Sequence, residues 1–86
     1  MRHFASAKFW QCFDSMPVPI QMLARRNFDL LKQNPAHPSL QFKAVAGGRF
    51  RSVRVGARNR ALGTPVADGV LWFWIGSHAD YDKLLS

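Results

Sequence analysis

The sequence predicts an α+β domain: a mostly antiparallel sheet packed against an N-terminal helical hairpin. Three observations carry that expectation. Between Ser6 and Asn34 the apolar residues recur at spacings of three and four, as on one face of a helix. From Leu40 to Ser77 they alternate or run continuously, with the aromatic and β-branched bias of strands. Turn residues at Gly56 to Arg58 and at Asp68-Gly69 cut that second half into hairpin-length pieces.

Size and composition set the limits. At 86 residues the chain is one domain, 1–86, with room for a single modest core. A hydrophobic fraction of 48% and three tryptophans mark a folded globule, not a disordered tail. The net charge is +7, the sequence pI is about 10.9, and there is no glutamate. That balance points to a polyanion: nucleic acid, an acidic protein or an anionic membrane surface. Charge alone does not choose among them, and it also serves simple solubility. The single cysteine, Cys12, excludes an internal disulfide. It falls among helix-spaced apolar residues with no base beside it, which reads as a buried structural thiol and not a nucleophile. Met1 to Trp10 lacks the apolar run of a signal peptide, and Gly69 to Gly76 is far shorter than the ~20 residues of a bilayer span. A cytoplasmic protein without membrane contact is expected.

Arg2 to Ala5 carries a weak strand signal. Ser6 caps a first helix whose buried stripe is Phe9, Cys12, Phe13 and Met16. Pro17-Val18-Pro19 interrupts it, and Pro19 suits the first turn of a second helix, where a missing N–H is harmless. The second stripe is Ile20, Leu23, Ala24, Phe28 and Leu31, ended by Asn34-Pro35. Pro35 to Ser39 is an irregular connector that leaves His37 as a loop residue without ligand partners. Leu40, Phe42 and Ala44 then alternate with Gln41 and Lys43, and Gly47-Gly48 turns the chain. Two further strands follow, Phe50 to Val55 and about Arg58 to Val66, with Pro65 fitting an edge or a bulge. Asp68-Gly69 pairs the latter strand with Val70 to Ile75, and Ala79 to Leu85 closes the chain as a short helix. The last strand is apolar on both faces until Gly76, so it is expected to be central, with Val70, Trp72 and Trp74 on one side and Leu71, Phe73 and Ile75 on the other.

The chemistry concentrates between Gly48 and His78, which holds five of the eight arginines: Arg49, Arg51, Arg54, Arg58 and Arg60. A two-residue loop after Val55 would set Arg54 against Asn59. A three-residue loop over Gly56, Ala57 and Arg58 sets Val55 against Asn59, Arg54 against Arg60 and Val53 against Ala61. The second register separates an apolar face from a basic one, whereas a one-residue slip would bury an arginine in the core, so it is preferred. Two arginines directly opposite repel unless an anion lies between them. His78 emerges where the burial of the last strand ends; it serves either as a general acid or base near neutral pH or as a polar cap of the final helix. Asp80 and Asp82 have no histidine or cysteine cluster beside them, so no metal and no cofactor is expected. No nucleophile elbow and no glycine-rich phosphate loop is present, and the tryptophans read as core.

The run RFRSVRVGARNRAL, the Asp-Gly hairpin and VLWFWIGSHADYDKLL, preceded by FDLLKQNPAHPSLQFK, resemble the RelE/ParE superfamily of bacterial toxins. The similarity is greatest to the small ParE-like toxins of type II toxin–antitoxin modules. It covers nearly the whole chain, through the order and spacing of short, degenerate motifs. The resemblance implies a twisted antiparallel sheet, a cognate antitoxin that wraps the basic surface, and, for RelE-like members, cleavage of mRNA in the ribosomal A site without a metal. In such members the 2′-hydroxyl attacks the adjacent phosphate and leaves a cyclic phosphate. The matching positions here are Arg54 and Arg60, to hold and stabilise the phosphate, and His78, to protonate the leaving oxygen. Tyr81 would stack on or position a base, and Lys43 and Arg58 would contact substrate. The chain departs from the pattern in having Ser52 where a second basic group is common, and no glutamate, so the general base is unassigned. ParE members share the fold but bind DNA gyrase and are not nucleases, so the fold leaves ribosome, gyrase or an inactive homologue that chiefly binds its antitoxin.

Overall fold

The computed structural model describes residues 1–86. Ser6 starts the first helix as its side chain allows: Oγ accepts from the Phe9 amide at 3.1 Å, satisfying one of the free N–H groups of α1 (Ala7–Asp14). Pro19 lies in the first turn of α2 (Val18–Gln33). Gln21 fastens the two helices at the bend between them. Its Nε2 donates to the Phe13 carbonyl at 3.2 Å and to the Met16 carbonyl at 3.0 Å, tying the start of α2 to the turn that ends α1.

A short 3-10 turn at Pro38–Leu40 leads into the sheet, whose strands are β1 (Arg2–Ala5), β2 (Lys43–Val45), β3 (Phe50–Val55), β4 (Asn59–Val66) and β5 (Gly69–Ser77). The spatial order is β1-β5-β4-β3-β2, and α3 (His78–Leu85) ends the chain. β1 and β2 are therefore the two edges, and α1 and α2 connect them.

Two features refine the expected architecture. The weak strand signal of Arg2 to Ala5 is a strand, β1, so the helical hairpin is a crossover between the sheet edges and not the first element of the chain. The sheet is also mixed: β2 to β5 pair antiparallel, but β1 runs parallel to β5, with Arg2 beside Gly69 and Ala5 beside Trp72. Gly69 explains how β1 fits. A Cβ on Gly69 would sit 1.7 Å from the Arg2 carbonyl oxygen, so only glycine lets the two backbones approach. The tight turn before β5 is accordingly Ala67-Asp68, one residue earlier than Asp68-Gly69, because Gly69 already pairs with Val66.

The core lies between the helices and one face of the sheet. Phe13 and Leu31 from the helices and Leu40 from the 3-10 turn meet Val53, Val55, Ala61, Val70, Trp72 and Ile75. Each buried valine, leucine, isoleucine or phenylalanine among them stabilises the fold by about 1.5–3 kcal/mol relative to exposure. The separation of faces on β3 and β4 follows the three-residue loop: Val55 pairs with Asn59, Arg54 with Arg60 and Val53 with Ala61. Gly56, at φ +66°, supplies the left-handed residue this loop requires. Pro65 pairs with Val70 beyond the last β3 partner, where its absent N–H breaks no ladder.

β5 is interior, between β1 and β4, but its faces differ from simple alternation. A register shift at Leu62/Gly63 sets Trp74 against Leu62 and Trp72 against Gly63, leaving Phe73 as the extra residue. This bulge returns Ile75 to the core beside Trp72 and turns Trp74 to the opposite face. One tryptophan expected in the core with Trp72 thus faces away from it.

Candidate functional site

The face of the sheet turned away from α1 and α2 carries the basic positions. Arg54 on β3 and Arg60 on β4 are direct cross-strand partners, and Gly76 on β5 is the next partner of Arg60. Neither arginine forms a salt bridge. Two like charges placed opposite each other without a counter-ion favour occupation by an anion.

The two arginines are held differently. Arg54 is half-buried; its Nε donates to the Gly56 carbonyl at 2.9 Å, and its own carbonyl accepts from Asn27 Nδ2 at 3.1 Å. Its guanidinium is thus turned partly toward the loop that follows it. Arg60 is only 6% exposed. Its Nη1 donates to Ser52 Oγ at 3.3 Å and its Nη2 to Gln41 Oε1, while the buried Nε has no partner. The ring of Tyr81 covers it, with the guanidinium carbon 5.4 Å from the ring centroid.

α3 places the other groups. Ser77 is its N-cap, with Oγ accepting from the Asp80 amide at 3.1 Å, so the capping role considered for His78 belongs to Ser77. His78 is the first helical residue, tied to the turn before β4 by its amide donating to the Arg58 carbonyl at 2.7 Å. Its side chain is 49% exposed, and Nδ1 lies 3.2 Å from Asp82 Oδ2, one helical turn on. That contact leaves Nε2 as the ring nitrogen open to a substrate. The His78 ring stands 5.5 Å from Tyr81, so His78, Tyr81 and Arg60 form a continuous row, with Arg54 on the neighbouring strand.

Arg58 and Lys43 are exposed and lie outside this row. Arg58 sits in the turn and joins it through its backbone; Lys43 is on the edge strand β2, opposite Ser52. Sequence reasoning missed Gln41 as a partner of Arg60, although its alternation with Phe42 already put it on Lys43's side. The helical spacing of His78 and Asp82 likewise signalled their pairing. Nothing local announced the burial of Arg60, which depends on Gln41 and Tyr81 arriving from distant segments. No cluster of three or more histidine, cysteine or carboxylate side chains suited to a metal is present.

The fold has known counterparts. RelE, in a RelB–RelE antitoxin–toxin complex from Methanococcus jannaschii, superposes with a TM-score of 0.74 at 12% identity, over 96% of this chain and 99% of that one. A copper-bound mutant toxin from Helicobacter pylori gives 0.64 at 20% identity, over 93% and 97%. A conserved hypothetical protein from the same organism gives 0.63 at 20% identity, over 92% and 96%. No protein-family model matches the chain, and no curated protein matches it by sequence. The chain therefore has a RelE-like fold, and the resemblance read in its sequence holds at that level.

Proposed function

We propose that the chain is the toxin of a type II toxin–antitoxin module, a ribosome-dependent mRNA endoribonuclease that inhibits translation in the cytoplasm. The observation that carries this reading is the Arg54–Arg60 pair, cross-strand arginines with no salt-bridge partner, adjoining the Tyr81–His78 row. A scissile phosphate seated there would gain charge as the 2′-hydroxyl oxygen attacks, and the guanidinium groups would stabilise that charge. His78, its Nδ1 held by Asp82, would deliver a proton from Nε2 to the departing 5′-oxygen. The 2′-hydroxyl proton passes to solvent, since no side chain is assigned to take it. The products are a 2′,3′-cyclic phosphate and a 5′-hydroxyl. Tyr81 would orient the adjacent base, and Lys43 and Arg58 would contact flanking phosphates. A cognate antitoxin is the expected protein partner: the neighbouring RelE is found with one, and a chain of net charge +7 suits an acidic segment.

One observation favours a second reading. Arg60, 6% exposed beneath Tyr81, is placed as a scaffold arginine would be. A ParE-like inhibitor that binds DNA gyrase without chemistry needs no accessible Arg60. The purified protein, incubated with ribosomes programmed with a defined mRNA and in parallel with gyrase and plasmid, separates the two. The nuclease reading expects cuts within the A-site codon that end in a cyclic phosphate and vanish in His78→Ala. Intact mRNA with inhibited supercoiling would replace it by the gyrase reading.

A further inference from the structure

The same face of the sheet carries an aromatic patch beyond Arg60 that the proposed chemistry does not use. The bulge in β5 turns both Phe73 and Trp74 to this side. The Trp74 indole lies over Gly76, the cross-strand partner of Arg60: a Cβ there would meet its Cζ2 at 2.4 Å. Phe73 meets Phe50 of β3 across β4, with ring centroids 5.5 Å apart. Leu62, 1% exposed, lies on the same face, whereas the three rings above it stay partly open to solvent. α1 and α2 pack on the opposite face and do not cover them. The patch is thus continuous with the Arg54–Arg60 site, not a separate surface.

Charge identifies the occupant. None of the five strands contains an acidic residue, and the patch is edged by Lys43, Arg49 and Arg54. The Arg49 guanidinium already lies 5.6 Å from the Phe50 centroid. Partly open rings within a cationic frame match the way single-stranded nucleic acid is held, with bases on π-faces and phosphates on the surrounding cations. We infer that Phe50, Phe73 and Trp74 form a stacking platform for the single-stranded RNA that flanks the phosphate at Arg54 and Arg60. This rests on the nuclease reading for the identity of the strand, but binding can be measured without cleavage.

The test uses a fluorescent 2′-O-methyl RNA heptamer, which cannot be cleaved, and an abasic strand of the same length. Binding is followed by anisotropy at several salt concentrations. Leucine replacements, Phe73→Leu and Trp74→Leu, keep apolar bulk while removing the π-face, and circular dichroism checks the fold. Each is expected to weaken heptamer binding by roughly 5- to 100-fold, given the usual worth of one base–aromatic stack, with an unchanged salt slope. The abasic strand should bind weakly and equally to all forms. If the folded leucine variants bind the heptamer like the parent, the patch is not a stacking platform and instead suits an apolar protein surface. Equal affinity for the heptamer and the abasic strand would overturn the inference too. Stacking-dependent binding by a protein that leaves ribosomal mRNA intact would sustain the platform and remove only the nuclease reading.

Discussion

Replacing Arg60 by methionine separates an arginine kept for function from one kept for stability. The side chain loses a hydrogen bond to Ser52 Oγ and another to Gln41 Oε1, each about 1.5–3 kcal/mol for a charged donor. It also loses the Tyr81 contact, about 0.5–2 kcal/mol. Against this stands the removal of a buried charge with no carboxylate partner, whose desolvation costs several kcal/mol. The unpartnered Nε adds roughly 1–3 kcal/mol to that cost. The two sides cancel to within a few kcal/mol, and methionine refills most of the space with an adaptable apolar chain. Even with Ser52 Oγ left unpartnered, Arg60→Met is therefore expected to change stability by no more than about 2 kcal/mol in either direction, while abolishing toxicity. For a domain of this size, a loss of 1 kcal/mol would lower Tm by about 4–8 °C. Urea unfolding followed by tryptophan fluorescence measures it. A loss of about 3–5 kcal/mol would show that Arg60 holds the fold together, and the reasoning that assigns it to an anion would fail.

Three further outcomes are expected. Gly69→Ala should displace β1, since its Cβ would sit 1.7 Å from the Arg2 oxygen; a loss of about 1–3 kcal/mol and faster amide exchange across residues 2–5 would confirm it, and unchanged exchange would not. Phe13→Ala removes a core ring that is 3% exposed and should cost about 3–5 kcal/mol by chemical denaturation. His3 has its pKa lowered, first by burial and then by the N-terminal charge and Lys32, and its Nδ1 accepts from Trp72 Nε1 at 3.1 Å. The unfolded chain therefore binds this proton more readily. Stability is fully present above the ordinary value of 6.5 and falls as pH drops from there through the lower folded value. Urea midpoints at about pH 7.5 and about pH 5 should differ less in His3→Gln than in the parent.

The sequence carried the register of the basic hairpin because a single physical constraint decided it. Only a three-residue loop puts Val53 and Val55 on the core face and Arg54 and Arg60 on the opposite one, and that is the pairing found. The Ser6 cap and the helix stripes, except for the exposed Phe28, were legible for the same reason: their signals are local. The bulge was not, because Phe73 and Trp74 are both apolar and no residue marks the shift. The direction of β1 was equally hidden, since four residues carry no preference for parallel pairing. Gly69, the residue that admits β1, has a second use as a turn signal, and the turn was the nearer explanation in sequence. At the site, the row from His78 to Tyr81 follows from helical spacing. The enclosure of Arg60 by Ser52, Gln41 and Tyr81 joins three separated segments, which no local pattern encodes.

Mapping mRNA 5′ ends after induction of the chain in growing bacteria, beside folded His78→Ala and Arg54→Ala variants, is the most direct examination of the site. New 5′-hydroxyl ends at fixed codon positions, with growth arrest, are expected for the parent alone. Growth arrest that persists in both variants, without new mRNA ends, would contradict a phosphate-cleaving site at the Arg54–Arg60–His78 corner.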